Sequence, residues 1–181
     1  MSDDYLRYMA GMDAGTLDDL MDRFGQEVWD FAYLLTRNRS LADDIAQDVF
    51  LQAYLHVASF RGEASVKTWL LRIARNISIN YRKSAFFRRV LLIEAIRPGR
   101  QTASAEQEYL EREAANEVWR QVFRLPTKYR EVLVMHARYR LSLKEIATVL
   151  QVPEGTVKSR LFGARKRLSN LLREDVQYEI T

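Results

Sequence analysis

Residues 141–168 read LSLKEIATVLQVPEGTVKSRLFGARKRL, and this stretch decides the fold. Two short helices are predicted, at roughly 142–150 and 154–173, broken at Gln151, Val152 and Pro153, since proline cannot continue a helix. Ser142 can cap the first, with Glu145 three residues on completing a capping box. Leu143, Ile146, Ala147 and Leu150 form its buried stripe. In the second helix Val157, Leu161, Ala164 and Leu168 fall within one narrow arc at about 100° per residue. Ser159, Gly163, Lys166 and Asn170 point the opposite way, flanked by Lys158, Phe162, Arg165 and Arg167. A broken helix pair whose second member has a basic face is the layout of a helix-turn-helix, which sets that second helix in the DNA major groove. Lys and Arg suit phosphates, and Ser, Lys, Arg or an apolar Phe can read base edges. A salt-laced surface helix is the plainer reading of the same residues.

Outward from this stretch the chain stays helical. Leu17, Leu20, Met21, Phe24, Val28, Phe31, Ala32 and Leu35 follow steps of three and four. The pattern breaks at Asn38, Arg39 and Ser40, then resumes from Leu41 to about Ala58 with Ile45, Val49, Ala53 and Val57 on one stripe. Residues 60–65 read as a loop, and Val66 to about Lys83 as a third helix carrying Leu70, Ile73, Ala74, Ile77 and Tyr81. Phe86 to Ile93 can extend that helix, while residues 97–104, RPGRQTAS, have the punctuation of a linker. Periodicity returns from Leu110 to Phe123; Pro126 then ends one helix, and Thr127 can cap the next, at about 127–138. The expectation is an all-α chain of two small helical domains, 1–89 and 111–181, with a flexible join at 90–110.

Composition narrows the class of function. Of 181 residues 48% are hydrophobic and 29% charged, enough for a core and a solvated surface, and only 7 Gly and 3 Pro argue against a turn-rich all-β protein. The absence of cysteine removes disulfides, cysteine nucleophiles and thiolate zinc sites, and fits a reducing compartment. The first residues are acidic, unlike a secretory leader, and no apolar run of about 18 residues occurs, so a cytoplasmic location without membrane insertion is expected. Residues 1–60 carry a net charge of −7, residues 61–110 of +6 and residues 111–181 of +5. An acidic front before two basic segments fits a protein partner for the first and a polyanion for the others, although uneven solvated faces would look the same.

Residues 41–58 bury Ile45, Val49 and Ala53 and leave Asp44, Gln47, Asp48 and Leu51 on the outer side. That face suits either solvent or docking onto a basic protein surface. Residues 59–83 interleave Phe60, Trp69 and Tyr81 with Arg61, Lys67, Arg72, Arg75, Asn76, Asn80, Arg82 and Lys83. Single-stranded nucleic acid is held by such a mixture, charge tracking the backbone while rings and amides meet splayed bases. Trp69 and Tyr81 can equally be core.

Taken in order, DDIAQDVF at 43–50, SFRG at 59–62, KTWLLRIARN at 67–76, LPTKYREVL at 125–133 and PEGTVKSRL at 153–161 resemble the extracytoplasmic-function (ECF, group IV) class of bacterial RNA polymerase sigma factors. The resemblance spans nearly everything from Leu17 to Leu172 and implies a chain cut down to sigma regions 2 and 4. It implies that Asp44, Gln47, Asp48 and Leu51 dock on the β′ clamp helices of core polymerase. It also implies that the segment 60–80 recognises the −10 element and captures a flipped base, with Phe60 and Asn76 at pocket positions and Asn80 one turn further. Arg61, Lys67, Arg72, Arg75, Arg82 and Lys83 then become candidates for the strand. Thr156, Lys158, Ser159, Arg160, Phe162, Gly163, Arg165 and Lys166 fall at or near the −35 element. The linker would run through the polymerase, which also presents its β subunit, towards the RNA path. An anti-sigma factor is the implied regulator. Gly163 departs from the pattern, because the family often has a larger, frequently basic residue there.

Two other readings compete. A stand-alone helix-turn-helix regulator would bind duplex DNA unaided and would not need the 59–83 pattern. A helical enzyme finds little support: His56 and His136 are the only histidines, and neither has a metal-ligand partner at i+4. No cofactor, metal or catalytic residue is expected, and the tail 174–181 has no assignable role.

Overall fold

A computed structural model describes residues 14–57, 60, 64–91 and 117–178. Among them are seven helices: α1 Ala14–Thr36, α2 Arg39–His56, α3 Val66–Leu91, α4 Glu117–Arg124, α5 Thr127–Ala137, α6 Leu143–Leu150 and α7 Glu154–Tyr178. Beyond Leu91, the expected linker lies outside the described residues.

Helices α1 to α3 make a first bundle around Leu20, Phe31, Ala32, Ile45, Val49, Ala53, Leu70 and Ala74, all without exposed surface. Burying each large side chain contributes about 1.5–3 kcal/mol, so the three- and four-residue steps in the sequence translate directly into packing. Arg37, at φ 56°, ends α1 in the left-handed region, its amide donating to the Tyr33 carbonyl over 2.7 Å. Asn38 then caps α2, its side chain accepting from the Leu41 amide. The break is therefore tighter than the sequence indicates, and Arg39 and Ser40 belong to α2. Helix α3 runs to Leu91, which makes 86–91 an extension of it.

The second bundle, α4 to α7, closes on Val132, Met135, Ile146, Val149, Val157 and Ala164. Thr127 does not cap α5. The Pro126 carbonyl starts that helix by accepting from the Tyr129 and Arg130 amides, and Thr127 Oγ1 instead accepts from Arg82 of α3 over 3.1 Å. Proline at the cap leaves the threonine inside the first turn, its hydroxyl available to another helix. The capping box at α6 is present: the Glu145 amide donates to Ser142 Oγ, and the Ser142 amide to Glu145 Oε2 over 2.8 Å. Gln151, left-handed at φ 55°, terminates α6, and Pro153 accepts the first amides of α7. The turn thus sits where the sequence places it.

Glu145 carries more than the cap. Burial pushes its carboxyl up, but hydrogen bonds from the Ser142 amide and hydroxyl and from Thr68, together with nearby Lys67, outweigh burial and hold it below its ordinary value of 4.5. A depressed folded-state value means stability that is full above about pH 4.5 and lost as pH falls through the lower value. Glu145→Gln keeps a hydrogen-bonding side chain but cannot titrate. Between about pH 3 and 6 its melting temperature should therefore fall less steeply than that of the wild type; parallel slopes would count against the assignment.

Candidate nucleic-acid interface

One face of α3 forms the floor of a cleft of about 1090 Å³. Trp69, Arg72, Ile73, Asn76, Ile77 and Asn80 line it at helical steps, Asp48, Gln52 and His56 of α2 form one wall, and Phe60 sits at its edge. The Phe60 and Trp69 rings meet at 4.9 Å with a 44° tilt. Trp69 satisfies both readings of the sequence, since it packs on the core while also facing the cleft. Lys144 and Thr148 of α6 supply the opposite wall, a contribution no local pattern reveals because it comes from the other bundle.

The remaining residues singled out around α3 divide into two groups. Arg72, Asn80 and Lys83 are exposed, and Asn76 is half-buried. Lys67 pairs with Glu27 at 2.9 Å and lies 5.3 Å from the centre of the Tyr139 ring. Arg75 donates from Nε to Glu131 Oε2 at 3.0 Å and from Nη2 to Oε1 at 3.4 Å. Lys67, Arg75 and Arg82 thus face the second bundle rather than an open groove. Arg61 lies outside the described residues.

On α2, Asp44 and Gln47 are exposed, and Leu51 keeps 54% of its surface. Tyr54 and Leu55 join them as exposed hydrophobics; their spacing of three and four from Leu51 puts them on the same helical face, a signal present in the sequence. Asp48 is placed differently from its expected outer position. It is half-buried, accepts from the Tyr81 hydroxyl over 2.9 Å and lines the cleft. A tyrosine on α3 draws the carboxylate inward.

Helix α7 presents Lys158, Ser159, Phe162, Arg165 and Lys166 to solvent, Phe162 with 73% of its surface exposed. Thr156 is half-buried, its carbonyl accepting from Ser159 Oγ. Arg160 is half-buried and reaches Glu131 Oε1 at 3.6 Å. Gly163 is not bare on the open face. A Cβ there would lie 3.0 Å from Tyr129 Cε1 and 3.3 Å from Arg167 Nη1. The glycine makes a notch for the Tyr129 ring, on which the Arg167 guanidinium stacks at 4.2 Å. A helical wheel cannot show this, because the tyrosine arrives from α5. Among the described residues, no group of three or more His, Asp or Glu is placed to hold a metal, and no helix is long and apolar enough to cross a membrane.

Known proteins match both bundles. The family described as sigma-70 region 2 matches residues 20–86, and sigma-70, region 4 matches residues 115–168. The chain is 31% identical over 171 residues to the ECF RNA polymerase sigma factor SigW of Bacillus subtilis, covering 90% of this chain and 91% of that one. It is 34% identical over 166 residues to the ECF RNA polymerase sigma factor SigM of Mycobacterium tuberculosis, covering 91% and 81%. Among solved structures, CnrH in complex with the cytosolic domain of CnrY superposes with a TM-score of 0.69 at 26% identity, over 94% of this chain and 96% of that one. RpoE in complex with the anti-sigma factor NepR from Bartonella quintana shares the fold, with a TM-score of 0.64 at 23% identity, over 86% and 96%. The chain belongs to the extracytoplasmic-function sigma factors of RNA polymerase.

The notch at Gly163 makes a testable coupling. Replacing a mid-helix glycine by alanine ordinarily stabilises by up to about 1 kcal/mol, but here the new methyl meets the tyrosine ring. Gly163→Ala should therefore raise the melting temperature more in a Tyr129→Ala background than in the wild type. Additive effects in a double-mutant cycle would show that the notch is unimportant.

Proposed function

We infer that this chain acts as the promoter-specificity subunit of a bacterial RNA polymerase, reading −35 duplex with α7 and opening the −10 element at the α3 cleft. The observation that carries this reading is the pairing, on one chain, of a basic helix-turn-helix with a second surface, the α3 face of rings, amides and cations. A duplex-binding regulator needs only the first.

The cleft has the parts that capture of an unpaired base requires. Phe60 and Trp69 offer π-faces, Asn76 and Asn80 amides that can pair with a base edge, and Arg72 positive charge for the strand, with exposed Lys83 further along α3 outside the cleft. Extruding a base costs a few kcal/mol of stacking and pairing, which a fitted pocket offsets only for the right base. Opening would then be driven by binding, without a catalytic step in this chain. On α7, Lys158, Arg165 and Lys166 are suited to phosphates, and Ser159 and Phe162 to base edges. Arg160, paired with Glu131, and Gly163, against Tyr129, set the helix in place, and half-buried Thr156 stands at its start. Asp44, Gln47 and Leu51, extended by Tyr54 and Leu55, form an acidic, apolar-centred patch suited to the β′ clamp helices. An anti-sigma factor is the fitting regulator, since solved relatives are held in such complexes. A cytoplasmic location follows from this role.

Adding the purified chain to core polymerase should start transcripts from a restricted promoter set. Unchanged transcription together with tight binding to duplex DNA alone would point to a stand-alone regulator. Asn76→Ala should lower open-complex yield by roughly tenfold, the loss of one well-placed hydrogen bond, while leaving −35 duplex binding nearly intact. Equal losses in both would remove Asn76 from the pocket.

A further inference from the structure

Glu131 lies on α5 with 5% of its side chain exposed, and it meets both reading helices at once. Arg75 of α3 forks onto its two oxygens at 3.0 and 3.4 Å, and Arg160 of α7 lies 3.6 Å from Oε1. A guanidinium offers the same fork to a carboxylate as to a phosphate. Resting on the promoter-recognition reading above, we propose that the chain on its own is latched shut, with the Glu131 carboxylate taking the place of a DNA phosphate on Arg75 while α6 closes the −10 cleft.

A second set of contacts supports the closure independently. Lys144 and Thr148 of α6 wall the cleft, and Thr68 of α3 donates to Glu145 of α6 over 3.2 Å. A single strand laid along α3 would have to displace that helix. Further ties lie away from the reading surfaces: Arg138 with Asp30 at 2.7 Å, and the Tyr139 hydroxyl donating to the Glu27 carbonyl at 3.1 Å. The residues between Leu91 and Glu117 can span at most roughly 80–90 Å, so the tether permits the two bundles to separate.

The latch is also built to release. Arg130 is buried beside Glu131, and its guanidinium is pushed down to about 10, by burial first and then by the positive charges of Arg37 and Arg82. Around Glu131 the cations Arg75, Arg130 and Arg160 outnumber the carboxylate, so an incoming polyanion gains what Glu131 gives up. While the seam is shut, affinity for a strand is reduced in proportion to the fraction of molecules that are open.

The chain has no cysteine, so Asp22→Cys on α1 and Asn170→Cys on α7, both exposed, can carry spin labels on otherwise full-length protein. The wild type should give one narrow distance, and Glu131→Gln a longer, broader distribution. Its affinity for a labelled mixed-sequence single strand of about ten nucleotides should rise on the order of tenfold, with a steeper salt dependence as Arg75 is freed. Arg75→Gln breaks the same contact while leaving Glu131 with Arg160, so it reads the opening even where Glu131→Gln disturbs the second bundle. Its distance should lengthen without the steeper salt dependence. An unchanged distance in folded Arg75→Gln overturns the latch. Lengthening in both variants without any gain in strand binding by Glu131→Gln keeps the latch and overturns the cleft assignment instead.

Discussion

A carboxylate removed from water has to be compensated where it stands, and at Glu131 the compensation comes from helices far apart in sequence. Arg75 arrives from α3 and Arg160 from α7. Removing one partner of such a buried pair typically costs about 3–5 kcal/mol, because the other charge is left without water or counter-ion. The geometry of α3, α5 and α7 is therefore bound together at one point. Neighbouring Arg130 shows the opposite side of the same constraint. Its Nη1 donates to the Phe123 carbonyl, its Nε has no hydrogen-bond partner, and its charged form is disfavoured by burial. Around Glu131 positive charge is in excess, and its carboxylate offsets part of it.

Around this polar point the seam is aromatic. Tyr139, 5% exposed, meets Phe31 edge-to-face at 5.8 Å, and Tyr33 meets Phe123 at 6.1 Å. Burial, and next Asp30, push the Tyr139 hydroxyl well above its ordinary value, so it stays a neutral donor to the Glu27 carbonyl. Mixed seams of this kind, part apolar and part ionic, are what interfaces between domains that can move usually look like. The same helices that build the bundles thus also set α6 beside the α3 cleft, while the basic face of α7 stays open.

Several side chains serve packing and recognition together. Trp69 supports the first bundle and also lines the cleft; Asp48 ties α2 to α3 through Tyr81 and also lines the cleft. Gly163 does the reverse, giving up a side chain so that Tyr129 can seat and Arg167 can stack.

The helices, the capping box at Ser142 and Glu145, the turn at Gln151 to Pro153 and the exposed basic face of α7 are legible in the sequence, because each depends on residues within one or two turns of one another. Its ordered motifs also determined the family. It missed Pro126 as the cap of α5, a matter of which backbone oxygen is free. The fate of the long cations depends on how the bundles pack. Arg72, Arg75 and Arg82 read alike along α3, yet Arg72 faces solvent, Arg75 a buried carboxylate and Arg82 a threonine of the other bundle. Nor could a wheel reveal Tyr129 over Gly163, or α6 across the cleft. Charge and periodicity are local properties of a helix, whereas what a face meets is set by how the two bundles pack.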